Sequence, residues 1–206
     1  LAHVAFTPRG ILFSPAMALD IAALLRETGA LLTGHFRLSS GLHSPGYVQC
    51  ALLLEHPRNA KAIGQELAAK LHSMRPSKIV APALGGVIIG YTVAEALDVP
   101  SIFTERKEGA MTLRRGFRIE PDDSVVIVED VVTTGKSTRE TSTVIESLGG
   151  RVAGFASILN RSGVSNPFDA PYESLLSLDL PTYEESNCPQ CAGGVAIDSP
   201  GSRFSK

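Results

Sequence analysis

Three cysteines in 206 residues, Cys50, Cys188 and Cys191, are too few and too unevenly placed for a secreted disulfide framework, and their number is odd. A reducing, cytoplasmic setting is the expectation. No apolar run approaches the roughly 20 residues of a membrane helix, because Gly, Pro or charge interrupts the longest candidates. The chain is therefore not expected to span a membrane. Long acidic, basic or low-complexity blocks are missing, as is any internal repeat, which sets aside disorder and repeat architectures. A formal charge of -2 lacks the Lys and Arg excess that broad phosphate neutralisation requires, so nucleic acid is not an expected partner. The stretch Leu1 to Leu19 has no basic start, continuous apolar segment or small-residue cleavage site, and Pro8, Arg9, Gly10 and Pro15 interrupt it. Residues 1–17 read as a loose leader.

What is present suits one α/β domain with a real core: 44% hydrophobic and 19% charged residues, near globular averages. From Ala18, the positions Ile21, Leu24 and Leu25 follow helical spacing, and Gly29 ends the helix. Residues His35 to Leu54 alternate around Ser39, Ser40, Gly41, Ser44, Pro45 and Gly46, predicting strand, turn, strand: a small antiparallel flap. Ile63, Leu67 and Leu71 recur four apart between Arg58 and Met74, the apolar face of a helix that covers a sheet. Short apolar strands follow at Lys78 to Ala83, Ser101 to Thr104, Ser124 to Val128 and Arg151 to Leu159, with helical patterns after the first and third. This alternation implies a parallel sheet flanked by helices, with Leu175 to Leu180 as an added edge strand. After Pro181 the composition turns to Pro, Gly, Ser and Cys, the expected mark of a loosely held tail.

Chemistry concentrates in Val125-Val126-Ile127-Val128-Glu129-Asp130-Val131-Val132-Thr133-Thr134-Gly135-Lys136-Ser137-Thr138. A buried strand runs into two acids, a small-residue turn and a helix start. Such a turn aims consecutive backbone N–H groups, and the positive end of the helix dipole, at an anion. Gly135 permits close backbone approach, while the hydroxyls of Thr133, Thr134, Ser137 and Thr138 add donors suited to a monophosphate. Gly135-Lys136-Ser137 is not a nucleotide P-loop, because the glycine needed five places earlier is Asp130. Glu129 and Asp130 would repel a polyphosphate but suit two neighbouring ribose hydroxyls, met directly or through a cation, so a sugar phosphate is the natural ligand. Taken singly, the acids would read as helix caps and the turn as a tight connection. The whole ordered string, at the C-terminal edge of a strand where α/β ligands bind, favours function.

This string resembles the phosphoribosyl pyrophosphate signature of type I phosphoribosyltransferases. More of the chain is similar to orotate phosphoribosyltransferases: Gly34-His35-Phe36-Arg37-Leu38-Ser39-Ser40-Gly41 with His43-Ser44-Pro45, Pro82-Ala83-Leu84-Gly85-Gly86, Glu105-Arg106-Lys107-Glu108 and Leu159-Asn160-Arg161. The likeness spans about Leu19 to Leu180. It implies a single phosphoribosyltransferase domain over 18–180, including a hood over 18–55 that contains the flap, and a tail over 181–206. The implied reaction joins orotate to phosphoribosyl pyrophosphate, releasing pyrophosphate, with Mg2+ held by substrate oxygens and no side chain ligating it directly. By the same resemblance, Glu129, Asp130, Val131, Val132, Thr133, Thr134, Gly135, Lys136 and Ser137 bind the phosphoribosyl donor, Gly85 and Gly86 form the pyrophosphate turn, and Arg106 and Lys107 face the pyrophosphate. Thr133 and Arg161 face orotate, Arg161 by pairing with its carboxylate. A homodimer sharing a loop between subunits is also implied.

The departures from that pattern are specific. Many family members carry lysine near Ser39 and Gly85, and lysine and histidine in the mobile loop after Lys107; those positions lack them here. Instead Glu108 to Phe117 supplies Arg114 and Arg115, with Gly109 and Gly116 as expected hinges. These arginines and Asp130 are the catalytic candidates. Arginine does not readily donate a proton at neutral pH, so the substitution favours charge stabilisation over general acid catalysis. Cys188-Pro189-Gln190-Cys191 has the spacing of half a zinc knuckle, but no neighbouring Cys or His in the sequence completes four ligands, so a terminal turn is expected there. His35, His43, His56 and His72 show no metal-like spacing and read as surface or flap residues. The rivals are a purine phosphoribosyltransferase, which would need a different base-binding set, and a regulator that senses the donor and binds nucleic acid, which would need a basic face.

Overall fold

The computed structural model describes residues 19–38 and 40–200, so the leader read at 1–17, Ser39 in the flap and the last six residues of the tail lie outside the described residues. Helix α1 (Ile21–Glu27) opens the described chain, its start fixed by the Asp20 carboxylate accepting from the Ala23 N–H at 2.9 Å. Strands β1 (Leu31–Arg37) and β2 (His43–Val48) form the expected antiparallel flap, with Leu31 opposite Val48 at one end, Arg37 opposite His43 at the other, and a register shift between Thr33 and Phe36. The second half of the flap is shorter than its sequence pattern, because Cys50–Leu54 turns into a helix, α2. Helix α3 (Pro57–Leu71) buries Ile63, Leu67 and Leu71 as their spacing requires.

The main sheet is built from β3 (Lys78–Pro82), β4 (Ser101–Lys107), β5 (Ala110–Leu113), β6 (Ser124–Val132), β7 (Arg151–Asn160) and β8 (Tyr172–Ser177). Helix α4 (Gly85–Leu97) links β3 to β4, α5 (Lys136–Ser147) links β6 to β7, and a short α6 (Pro189–Ala192) lies near the C-terminus. Strand order is β5-β4-β3-β6-β7-β8, parallel throughout except for β5, which turns back against β4. Alternation along β6 serves two cores. Val126 and Val128 face the layer of α3 and α4, while Val125 and Ile127 pack with Ile145 of α5 and Phe155. Removing the Ile127 side chain beyond Cβ is expected to cost about 2–5 kcal/mol. Gly64 admits the crossing of α3 on α4, since a Cβ there would lie 2.6 Å from the Thr92 Cβ.

From β3 the chain proceeds outward to β4 on one side, then returns to place β6 on the other. The C-terminal ends of β3 and β6 therefore flank the point where the strand order reverses, which in open α/β sheets is where a crevice forms.

Three sequence expectations need correction. The edge strand begins at Tyr172 and ends at Ser177, because Tyr172 Oη meets Ser157 Oγ at 2.6 Å and the Phe155 N–H donates to the Pro171 carbonyl, fixing an earlier register. The stretch read as a hinged loop contains an ordered strand, β5, with Met111 turned into the protein. The expected hinges do take positive φ, 85° at Gly109 and 76° at Gly116. The segment 181–200 is not loosely held: Tyr183 pairs with His43 on one edge of the flap and Asp198 bridges Phe36 on the other. A two-stranded hairpin is marginal alone, and these added edges complete it.

Candidate active site

At the crevice, the turn after β3 and the end of β6 are pressed together. An added Cβ on Gly85 would lie 2.6 Å from an Asp130 carboxylate oxygen, and one on Gly86 would lie 2.9 Å from the Val128 carbonyl and 3.3 Å from Glu129 Oε1. Only glycine leaves room for both acids beside this backbone. The expected pyrophosphate turn and acid pair thus form one place. Glu129 is buried and Asp130 partly so. Burial, then the neighbouring Asp130 charge, raises the Glu129 carboxyl well above its usual range; burial also raises Asp130.

Immediately beyond, Thr133 and Thr134 are exposed, Gly135 adopts a left-handed conformation with φ 69°, and α5 begins at Lys136. No side chain caps α5, and the nearest substitute is a long 3.4 Å contact from the Lys136 N–H to Thr134 Oγ1. The first-turn amides and the hydroxyls are thus gathered at one helix start. Val132 is buried in the core shared with α5 and Val131 packs against the core on the opposite face of the sheet, so these two offer the crevice backbone rather than side chains. Sequence reasoning missed Arg139, whose guanidinium donates to the Thr134 carbonyl and the Pro167 carbonyl, each at 2.5 Å, and covers the Phe168 ring at 5.3 Å. It braces the turn from outside, and nothing in its local sequence marks that role.

Arg161 follows β7 and donates its backbone N–H to the Val132 carbonyl at 2.7 Å, which sets it beside the acid strand. Its Nε is buried and has no hydrogen-bond partner. Burial lowers its pKa from the usual range, opposed by Tyr47. Tyr47, from β2 of the flap, feels both Asp130 and Arg161: burial first and Asp130 second raise its phenol, while Arg161 opposes them. The flap therefore faces the crevice through Tyr47, a residue that the sequence pattern did not single out. Asn160 organises the loop beyond Arg161, accepting from the Ser162 N–H at 3.0 Å and donating to the Val164 carbonyl at 2.8 Å.

Four more predicted cations stand at the end of β4 and just after β5. Arg106 pairs with Glu140 of α5 and donates to the Gly109 carbonyl at 2.9 Å, and Lys107 is exposed at the end of β4. Arg114 and Arg115 both reach Glu105, at 3.3 and 3.0 Å. Both arginines are exposed and held by Glu105 of β4. The expectation for Cys188 and Cys191 needs correction as well. His35 and His43, brought in from the flap, stand against them, so the pair is not without nearby histidines. The two histidines do stand on the flap, as one of their two readings had it, but they are buried there.

Comparison with known proteins adds to this geometry. A family model for the phosphoribosyl transferase domain matches residues 52–184. The orotate phosphoribosyltransferase of Carboxydothermus hydrogenoformans is 49% identical over 187 residues, covering 90% of this chain and 98% of that protein. That of Thermotoga maritima is 48% identical over 183 residues, covering 89% and 98%. Among solved structures, orotate phosphoribosyltransferase from Aeropyrum pernix aligns with a TM-score of 0.62 at 26% identity, over 76% of this chain and 93% of that one.

Proposed function

The chain belongs to the orotate phosphoribosyltransferase family, and on that premise we propose that it transfers the phosphoribosyl group of phosphoribosyl pyrophosphate to orotate, yielding orotidine 5'-monophosphate and pyrophosphate for pyrimidine synthesis. The observation that carries the choice of acceptor is the buried, unpartnered Nε of Arg161 beside the acid strand. An orphaned guanidinium donor is costly unless a ligand completes it, and a planar carboxylate matches its fork. Orotate has such a carboxylate.

In this reading Glu129 and Asp130 hold the two ribose hydroxyls. Thr133, Thr134, Gly135, Lys136 and Ser137 surround the 5'-phosphate, aided by the backbone of Val131 and Val132. Gly85 and Gly86 let pyrophosphate lie against the turn, and Arg106 and Lys107 screen its charge. As the C1–oxygen bond to pyrophosphate breaks, positive character develops on the ribose ring, and the orotate nitrogen forms the new bond from the opposite face with inversion. Thr133 and Arg161 orient the base. No covalent nucleophile is needed; the site positions reactants and stabilises charge.

Members of this family generally use Mg2+ with the donor, and the two raised carboxyls beside Gly85 and Gly86 are of the kind that suits a cation carried in on substrate oxygens. When bound, Mg2+ would neutralise the departing pyrophosphate. Orotate consumption, assayed in parallel with adenine, hypoxanthine, xanthine and uracil, is expected to be selective for orotate. Arg161→Ala is expected to raise the orotate KM by roughly 10- to 100-fold, the loss of a charge-assisted pair. Equal turnover of a purine base, or an unchanged KM, would overturn the acceptor assignment.

The working form in this reading is a cytoplasmic homodimer. Leu84, Ile88 and Tyr91 are all exposed, and their spacing makes an apolar stripe at the start of α4 that a second copy would cover. Arg114 and Arg115 would then serve the partner's pyrophosphate. Light scattering should give a dimer that Ile88→Glu/Tyr91→Glu converts to monomer, and Arg114→Ala/Arg115→Ala should lower kcat about 100-fold. A monomeric wild type, or unchanged turnover in the arginine variant, would refute these assignments.

A further inference from the structure

Outside the crevice, the flap and the C-terminal segment bring four donor atoms together. His35 Nε2 lies 3.0 Å from His43 Nδ1, 3.5 Å from Cys188 Sγ and 3.6 Å from Cys191 Sγ; Cys191 Sγ lies 3.2 Å from His43 Nδ1. All four atoms fall within 4.8 Å of one another. We propose that His35, His43, Cys188 and Cys191 bind one structural zinc ion that clasps the C-terminal segment to the flap.

Each part of the geometry suits that ion. Zinc bonds of about 2.0–2.1 Å to nitrogen and 2.3 Å to sulfur define a tetrahedron with edges of roughly 3.3–3.8 Å, close to the four separations above. Two thiolates and two neutral imidazoles balance the dication, which leaves a buried site without net charge; the two thiol protons go to solvent on binding. His35 Nδ1 lies 2.8 Å from the Val195 carbonyl, which can only accept, so the proton of the neutral ring resides there and the Nε2 lone pair faces the cluster. Backbone orientation of a histidine through its second nitrogen is how metal ligands are commonly fixed. Four protein ligands with no open position indicate a structural rather than a catalytic ion. A two-iron cluster with His2Cys2 ligands splits the pairs between two irons, which needs them farther apart than these mixed contacts allow.

The surrounding chain is built to deliver the ligands. Cys188 and Cys191 bracket the single turn of α6, closed by the Ala192 N–H on the Cys188 carbonyl at 3.1 Å and the Gly194 N–H on the Cys191 carbonyl at 3.0 Å, with Gly194 at φ 67°. Gln190 Nε2 donates to the Gly34 carbonyl at 2.9 Å, holding this knuckle beside β1. His35, His43 and Cys188 are nearly inaccessible, as a closed site requires.

Metal analysis of the full chain, produced with zinc and purified under reducing conditions without chelator, tests the proposal. About one zinc per chain is expected, falling below about 0.1 in Cys188→Ser/Cys191→Ser. Should that variant fail to fold, Co2+ added to stripped wild-type protein should give tetrahedral visible bands and a thiolate charge-transfer band, with the tetrahedral bands lost in His43→Gln. Absence of zinc from wild type together with no cobalt spectrum overturns the site. So does zinc retained in the cysteine variant, an iron–sulfur spectrum, or a Cys188–Cys191 disulfide as the native state.

Discussion

The acid crevice and the histidine–cysteine cluster are both small groups built around buried ionisable residues, yet they are assembled in opposite ways. Glu129, Asp130 and Thr133 to Ser137 follow one another along a strand, a turn and a helix start. His35 and Cys188 are separated by 153 positions and meet only because the C-terminal segment pairs with both edges of the flap. The first group is held by the rigid centre of the sheet and left with unmet demand: two raised carboxyls and the orphaned Arg161 Nε nearby. The second is closed on itself, each donor facing the others. Unmet demand on a rigid frame suits a substrate, and a closed set between two weak elements suits a staple.

The largest effect expected from breaking this contrast lies in the crevice. Asp130→Asn removes an acceptor that the proposed reading assigns to a ribose hydroxyl while keeping the shape, and kcat/KM for the donor should fall about 100- to 1000-fold, read by steady-state kinetics. Gly85→Ala should approach the same loss by another route, since its new Cβ meets the Asp130 carboxylate at 2.6 Å. If both variants kept wild-type kinetics, the acids and the turn would not be the reaction centre.

A smaller effect is expected at the clasp. Cys188→Ser/Cys191→Ser should lower Tm and raise the orotate KM several-fold with kcat little changed, because the flap carries Tyr47 toward Arg161 while the sheet keeps the acids in place. The contrast sharpens if Tm and KM move together. A fall in kcat as deep as that of Asp130→Asn would mean that the two regions are not separable.

The same contrast explains what could be read from the sequence. The crevice was legible because its chemistry is local: four consecutive apolar residues, two acids, then small hydroxyl residues around Gly135. Gly85 and Gly86 became meaningful only through resemblance, and the reason for them, the carboxylates pressed against their backbone, is tertiary. Arg161 likewise came from resemblance, since nothing in Asn160-Arg161 shows a guanidinium with a buried, unmet donor. The clasp was half visible in Cys188-Pro189-Gln190-Cys191, but its histidines are eight positions apart on a hairpin whose register puts His43 opposite Arg37. Their approach depends on the path of the C-terminal segment, which Pro, Gly and Ser content made look loose. Strand β5 was missed because alternation over four residues between two glycines is too short to separate from a loop.

The smallest expected effect is a pH dependence belonging to the crevice. Glu129 in the folded chain has its pKa well above the ordinary carboxyl value of 4.5, chiefly through burial and then through Asp130. The folded state therefore holds a proton that the unfolded chain has released once pH exceeds the ordinary range. This contribution is fully present below the unfolded pKa and is lost as pH rises through the folded one, so stability declines with pH across that window. One such proton gives a slope of at most about 1.4 kcal/mol per pH unit. Glu129→Gln cannot release it, so the Tm difference between variant and wild type, followed by calorimetry from about pH 5 to pH 8, should move in the variant's favour as pH rises. Adding the donor with Mg2+ should narrow that difference, because hydroxyl donors and positive charge favour the ionised pair that burial alone opposes. A Tm difference that stays flat with pH would mean that Glu129 is already ionised in the free protein, with its burial offset by the frame and no demand left for a ligand to meet.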